Sequence, residues 1–285
     1  MLTPTQMKQW HEDGYVVLHN FKAAAELQCV IDRAHAWVDA FEPSDRASRF
    51  STRDRSLVAD AALLASAEQV HCFFEEEALD DEGRLRVPKA QSINKIGHAL
   101  HDRDPVFDAF SHGPAWAELA ADLGLQQPQV WQSQLIFKQP RIGGEVGWHQ
   151  DASFFVTTPH TVTTFWLALE DATLDNGCLW LQRGGHRGPE AVLREQYVRD
   201  NGCSPSLQMR SLDPRPWPEL SQALALPVPA GTLICFHGLL PHCSAANRSP
   251  HSRLAYTLHA TDASAVYSPL NWLQRSRDFP VRGFV

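Results

Sequence analysis

The sequence predicts an α+β fold: helices first, then a mainly β half that closes into a sheet-on-sheet sandwich or barrel. Three observations predict it. Apolar residues recur at helical spacing in the first part of the chain. From Val130 onward, short β-rich runs alternate with turn signals. The chain has 285 residues, 44% of them apolar and 20% charged, which suffices for one sizeable core.

The elements follow in order. In LTPTQMKQWHEDG, Thr3 caps a helix, Pro4 suits its first turn and Gly14 stops it. YVVL reads as a short strand. Residues 23–41 place Leu27, Val30, Ile31, Ala34 and Val38 on one helical face. Residues 43–56 are polar and charged, an exposed loop. QVHCFFEEEAL, DDEG and RLRV read as a hairpin turning at Asp81, Glu82 and Gly83, and QSINKIG as a further strand. DPVFDAFSHGPAWAELAADLGL is helical, broken near Gly113 and Pro114. The strands VWQSQLIFKQ, GWHQDASFFV, VTTFWLALE, CLWLQ, GTLICFHG and RLAYTLHAT follow, with tight connections at Asn176-Gly177 and Gly184-Gly185. No repeat or low-complexity segment interrupts them. The reading is one domain, 1–285, with a helix-rich part over about 1–125 and a β core over about 126–265.

A net charge of -8 argues against nucleic acid or an anionic membrane as the main partner. The six cysteines form no C-x-x-C pair, which reads as free thiols in a reducing compartment. Residues 1–20 lack the apolar core of a signal peptide, and no run of ~18 apolar residues exists. The expectation is a cytoplasmic protein acting on a small molecule, with its oligomeric state open.

One stretch stands out. In GWHQDASFF, residues 147–155, His149 and Asp151 lie two apart in apolar surroundings. On a strand, i and i+2 share a face, so the two side chains project together and Gln150 points away. Burying a charge requires a partner. An imidazole and a carboxylate converging on one point make two-thirds of a facial metal triad, the arrangement non-haem Fe(II) oxygenases use because it leaves cis positions open. Alone, His-x-Asp also fits an internal hydrogen-bonded pair.

The C-terminal half offers the missing pieces. LLPHCSAANRSPHSRLAYTLH contains His242, eleven residues before Arg253. A metal-binding His followed by an Arg on the next strand suits 2-oxoglutarate, whose far carboxylate calls for a guanidinium. His237 is the rival for the second imidazole. His186 reads as a turn-stabilising residue, His251 as exposed, and Asp171 and Asp175 as loop caps. Trp148 narrows a pocket mouth or packs, and Tyr267 and Trp272 lie in a segment suited to covering it. Arg141, Arg183, Arg187 and Arg194 are candidates for a basic patch if the substrate is a CoA thioester.

With QMKQWHEDGYVVLHNF, SINKIGHALHDRDPVF, HQDASF, NGCLWLQ and His242-x10-Arg253 in that order, the sequence resembles the phytanoyl-CoA dioxygenase family, in particular its domain-containing branch. The resemblance covers nearly the whole chain. It implies a double-stranded β-helix, a jelly-roll or cupin-like sandwich with flanking helices. It implies Fe(II) as cofactor, 2-oxoglutarate and dioxygen as cosubstrates, and hydroxylation with release of succinate and carbon dioxide. Carried over by motif, the iron ligands fall on His149, Asp151 and His242, and the 2-oxoglutarate arginine on Arg253. Further cosubstrate contacts fall on Lys95, Gln134, Trp166 and Ser244. The family's Pro-Gly-Ser-His turn is here Arg183-Gly184-Gly185-His186, which alters a loop and leaves the chemistry. Two alternatives stand beside the dioxygenase: a metal- or 2-oxoglutarate-sensing module of the same fold, and a zinc hydrolase, which would leave Arg253 and Lys95 without a purpose.

Overall fold

A computed structural model describes residues 1–42, 49–50, 61–200 and 206–285. The opening helix α1, Pro4–Asp13, starts at a capping box between Thr3 and Gln6 and ends at Gly14 in a left-handed conformation. A side chain at Gly14 would collide with the His186 ring, so the glycine both ends the helix and seats the Arg183–His186 turn. Strand β1, Tyr15–Leu18, and helix α2, Ala24–Ala40, follow as expected, with Leu27, Val30, Ala34 and Val38 buried along α2.

The expected loop over 43–56 lies outside the described residues except for β2, Arg49–Phe50, a two-residue strand parallel to β3, Val70–Glu75. A short helix α3, Ala61–Ala65, precedes β3. The expected hairpin needs correction. Its turn forms, with Gly83 N donating to Asp80 O, but the arms meet at one bridge, Leu79 to Leu85. Strand β3 pairs instead with β4, Ile93–His98. The reason is burial: Cys72, Phe73 and Phe74 are enclosed, and a mostly exposed RLRV arm cannot enclose them.

Helices α4, Leu100–Arg103, α5, Pro105–Ser111, and α6, Pro114–Asp122, break where Gly113 and Pro114 predicted. The β half then runs β5, Pro128–Lys138; β6, Val146–His149; β7, Thr157–Thr158; β8, Thr163–Ala168; and β9, Leu179–Leu181. A hairpin of β10, Glu195–Asp200, and β11, Ser206–Ser211, comes next. The chain closes with β12, Leu224–Leu226; β13, Leu233–His237; β14, His242–Ser244; β15, Arg253–Asp262; and β16, Val266–Tyr267.

An eight-stranded sheet in the order β1-β13-β8-β15-β5-β4-β3-β2 faces a four-stranded one, β12-β9-β14-β6. Apart from β2–β3, the pairings are antiparallel. Strand periodicity assigns the two faces of the large sheet. Phe165, Leu167, Leu233, Leu254, Tyr256 and Leu258 join the helices in one core. Their alternates Trp166, Ala168, Ile234, Phe236 and Ala255 pack inward toward the small sheet. Strand β15 is therefore buried at all ten positions, one face for packing and one for the interior. Among the described residues, no helix is long and apolar enough to cross a membrane.

Candidate metal centre and cosubstrate pocket

The site forms at the interior end of the small sheet. His149 ends β6 and His242 begins β14; the two are paired opposite one another in the ladder. Their ring centroids lie 4.1 Å apart. Asp151 reaches the same point by a route the sequence did not predict. The strand stops at His149, and Asp151 opens a 3-10 turn, Asp151–Ser153. Gln150 does point away: its amide donates to Val192 O and Leu239 O, and its carbonyl oxygen accepts from Arg194 N. That buried anchor fixes the backbone between the two site residues.

His149, Asp151 and His242 each offer a ligand atom, and those atoms lie within 4.8 Å of one another. His149 Nδ1 lies 2.9 Å from Gly147 O and His242 Nδ1 lies 3.0 Å from Leu240 O. A carbonyl can only accept, so each Nδ1 carries the hydrogen and each Nε2 is left with a free lone pair. Those Nε2 atoms lie 3.5 and 3.7 Å from Asp151 Oδ1. The other carboxylate oxygen, Oδ2, is already held: Thr164 Oγ1 donates to it at 2.5 Å, and His259 Nε2 lies 3.3 Å away. One oxygen is tied to protein and one is offered to the interior.

Charge supports the same picture. Burial pushes the Asp151 carboxyl up, but His242, His259 and His149 around it outweigh burial and hold it well below the usual carboxylate range. Burial, with His149 adding to it, lowers His242 to about 4, so both the carboxylate and this imidazole stand in ligand-ready protonation states.

Two compartments share His149 and Asp151 in their walls, and His242 lines the smaller. The smaller, about 60 Å³, is lined by Arg253, Trp166, Thr257 and Ser244 among others. Arg253 is 2% exposed, and its Nε and Nη1, like Thr257 Oγ1, find no hydrogen-bond partner among the described residues. Its guanidinium sits 5.6 Å from the Trp166 ring centroid. Burial lowers Arg253 to about 10, so it stays charged at neutral pH. Buried polar atoms are nearly always paired, so an enclosed cation with idle donors marks a place for an anion. The larger compartment, about 170 Å³, holds Lys95, Trp148, Phe154, Tyr197 and Trp272. Gln134 lines both compartments. Burial lowers Lys95 to about 7, with the Asp151 charge opposing the shift. Lys95 thus faces the larger compartment and not the one holding Arg253.

His237, the rival imidazole, is not among the converging three. It packs 5.3 Å from the ring of His186, which lies in the turn that Gly184 N ties to Asp13 O at the end of α1. Trp272 lines the larger compartment, whereas Tyr267 stacks on Trp131 at 3.6 Å and does not. None of Arg141, Arg183, Arg187 and Arg194 lines either compartment; Arg183 pairs with Asp13 and Arg194 with Glu190. The residues that sequence reasoning passed over are Thr164, Thr257 and His259. A signal existed: on β15, positions 253, 255, 257 and 259 share a face, so Arg253 pointing inward brings Thr257 and His259 with it.

Comparison with known proteins agrees. The family model for phytanoyl-CoA dioxygenase matches residues 10–255. The chain is 40% identical to a phytanoyl-CoA dioxygenase of Arabidopsis thaliana, over 97% of this chain and 95% of that one. It is 41% identical to phytanoyl-CoA dioxygenase domain-containing protein 1 of Mus musculus, over 98% and 97%. Among solved structures it superposes on the epimerase SnoN, crystallised with Fe3+, alpha ketoglutarate and a nogalamycin, with a TM-score of 0.64 at 18% identity, covering 98% and 93% of the two chains. It also superposes on EctD from S. alaskensis with 2-oxoglutarate and 5-hydroxyectoine, TM-score 0.61 at 21% identity, covering 99% and 84%. These neighbours establish the double-stranded β-helix. The chain belongs to the phytanoyl-CoA dioxygenase family.

Proposed function

We propose that this member of the phytanoyl-CoA dioxygenase family is an Fe(II)- and 2-oxoglutarate-dependent dioxygenase that hydroxylates an unactivated C–H bond of a small organic or acyl substrate. The observation that carries the reading is one juxtaposition: three metal-type donors converge beside a buried guanidinium with idle donors. His149 Nε2, Asp151 Oδ1 and His242 Nε2 are the atoms that would hold iron. Bound iron, with 2-oxoglutarate and dioxygen, supplies oxidative decarboxylation to succinate and carbon dioxide and oxygen insertion into a C–H bond.

The chain's own residues do the positioning. Thr164 and His259 occupy Asp151 Oδ2, which favours single-oxygen ligation and keeps coordination sites open. Arg253 would clamp the distal carboxylate of 2-oxoglutarate, with Thr257 and Ser244 beside it and Trp166 closing one side. Gln134, at the junction, is placed to contact the cosubstrate, and Lys95 would add charge from the adjoining compartment. The apolar walls exclude water from the reacting centre. The carboxylate at Asp151 favours hydroxylation, since halide transfer requires that position to be vacated.

The test is an anaerobic titration of the metal-free protein with Fe(II) and 2-oxoglutarate. The expected outcome is a weak visible charge-transfer band, then stoichiometric succinate on admitting dioxygen with substrate. No band with iron bound would sink the proposal. A band without succinate from any substrate would make the protein a sensing module.

A further inference from the structure

The larger compartment carries information about what enters it. Beside Lys95, its polar wall offers acceptors whose orientation the structure fixes. His98 is 1% exposed and lines this compartment. Its Nδ1 lies 2.7 Å from Ser66 Oγ, and the Ser66 hydroxyl donates to Leu63 O at 2.5 Å. A hydroxyl has one hydrogen, so Nδ1 must carry the proton and donate to Ser66. Nε2 is then a lone-pair acceptor, and among the described residues it has no hydrogen-bond partner. Burial and the neighbouring Lys95 charge keep the ring neutral.

Gln132 and Asn94 continue the pattern. Gln132 lines the same compartment as His98. Gln132 Nε2 donates to Gln134 Oε1 at 3.4 Å, leaving the Gln132 carbonyl oxygen as an acceptor. Asn94 Nδ2 donates to the carboxylate of Glu75 at 2.8 Å, so Asn94 Oδ1 is its free end. The rest of the wall is apolar or aromatic: Phe154 stacks on Tyr197 at 4.4 Å, and Trp272 stands edge-on to His98 at 5.1 Å. Among the described residues lining the compartment, Asp151 is the sole acid and no arginine appears. The Lys138 ammonium is spent on Gly144 O and Ala245 O.

We propose that the substrate inserts a neutral, ring-sized group bearing an O–H or N–H donor, which binds His98 Nε2 with Gln132 as a second acceptor. This rests on the preceding reading, because the compartment opens onto the proposed metal ligands. Size agrees: 170 Å³ is near the ~150 Å³ cavity that accepts benzene. It is below the roughly 300–1,000 Å³ of sites that enclose drug-sized ligands. A buried acceptor left bare rejects a group that cannot donate to it; with 2-oxoglutarate bound, the Lys95 charge is committed to the cosubstrate and Asp151, and the remaining acceptors disfavour an anion.

The test uses protein loaded anaerobically with Fe(II) and 2-oxoglutarate, titrated calorimetrically with benzyl alcohol, toluene and benzoate. Benzyl alcohol should bind about tenfold more tightly than either competitor, near the upper end for one neutral hydrogen bond. His98→Phe, which retains a ring against Trp272, should shrink that preference to within about twofold. Gln132→Leu should weaken it by a smaller factor and serves if His98→Phe does not fold. Equal binding of toluene, tighter binding of benzoate, no binding of any probe, or an unchanged preference in the variants would overturn the inference. With the charge-transfer band present, such a result removes the substrate assignment alone; with the band absent, the dioxygenase reading falls and takes this one with it.

Discussion

Asp104 and Asp151 are both buried carboxylates, and they are treated in opposite ways. The side chain of Asp104 has no exposure and four donors: Arg33 Nε at 2.6 Å, Trp37 Nε1 at 2.9 Å, and the amides of Val106 and Phe107 at the start of α5. It caps a helix and fastens α2 to it. Asp151 has one oxygen held by Thr164 and faced by His259, and the other turned to two imidazole lone pairs. Such an arrangement of acceptors is repulsive until a cation fills it. Arg253 shows the same incompleteness with opposite sign. The comparison teaches that the kind of partner, rather than burial, separates these two carboxylates: donors surround Asp104, and lone pairs face Asp151 Oδ1.

The comparison can be broken by substitution. Asp104→Ala removes a cap and leaves Arg33 and Trp37 without their acceptor. It should cost about 3 kcal/mol in denaturant unfolding, the lower range for breaking a buried pair, while iron and 2-oxoglutarate binding stay intact. Loss of binding with stability unchanged would reverse the assignment. Arg253→Met should do the converse. The 2-oxoglutarate requirement of succinate release should rise about a hundredfold, as expected from losing charge-assisted hydrogen bonds. The thermal midpoint should hold or increase, because no partner of the guanidinium is orphaned; a large fall in midpoint would contradict that.

Two finer tests sharpen the contrast. His259→Leu frees Asp151 Oδ2 from one of its two neighbours and should weaken Fe(II) affinity about 10–100-fold by competition with a chelator, the usual range for a residue supporting a metal ligand. An unchanged affinity would reduce His259 to packing against Phe155, with which its ring is stacked at 5.0 Å.

The last test concerns Asp102, a carboxylate enclosed among basic side chains. It binds Arg282 Nε at 2.7 Å and lies 3.0 Å from His101 Nε2 and 3.3 Å from Arg275. Burial pushes its pKa up, but His101, Arg282 and Arg275 outweigh burial and hold it below the ordinary value. A lowered folded-state pKa means the stabilisation is complete above the unfolded value, about 4, and is lost as pH falls below it toward the folded value. The stability gap between the protein and Asp102→Asn should therefore be flat from pH 7 to 5 and narrow below about pH 4. A gap that changes between pH 7 and 5 would refute this.

Much of this was legible in the chain. Thr3, Pro4 and Gly14 bound α1 because capping is local chemistry. Gly113 and Pro114 separate α5 from α6 for the same reason. Spacing brought His149 and Asp151 forward, and the family resemblance, beside the spacing to Arg253, favoured His242 over His237; that β14 and β15 belong to different sheets was not legible. The failures share a different cause. Strand β3 had two candidate partners, and burial of Phe73 and Phe74 chose the distant one. Asp151 converges through a 3-10 turn anchored by Gln150, not through strand alternation.

The sequence by itself determined the helix bounds, the strands of the core and the identities of the donor atoms, because periodicity, capping and side-chain chemistry act over a few residues. Tertiary structure alone decided which lone pairs stayed free. Thr164 and His259 claimed one oxygen of Asp151, and Arg253 was enclosed with its Nε and Nη1 unpaired among the described residues. Those outcomes depend on which distant groups a folded chain brings within hydrogen-bond reach, and local sequence contains no record of that distance.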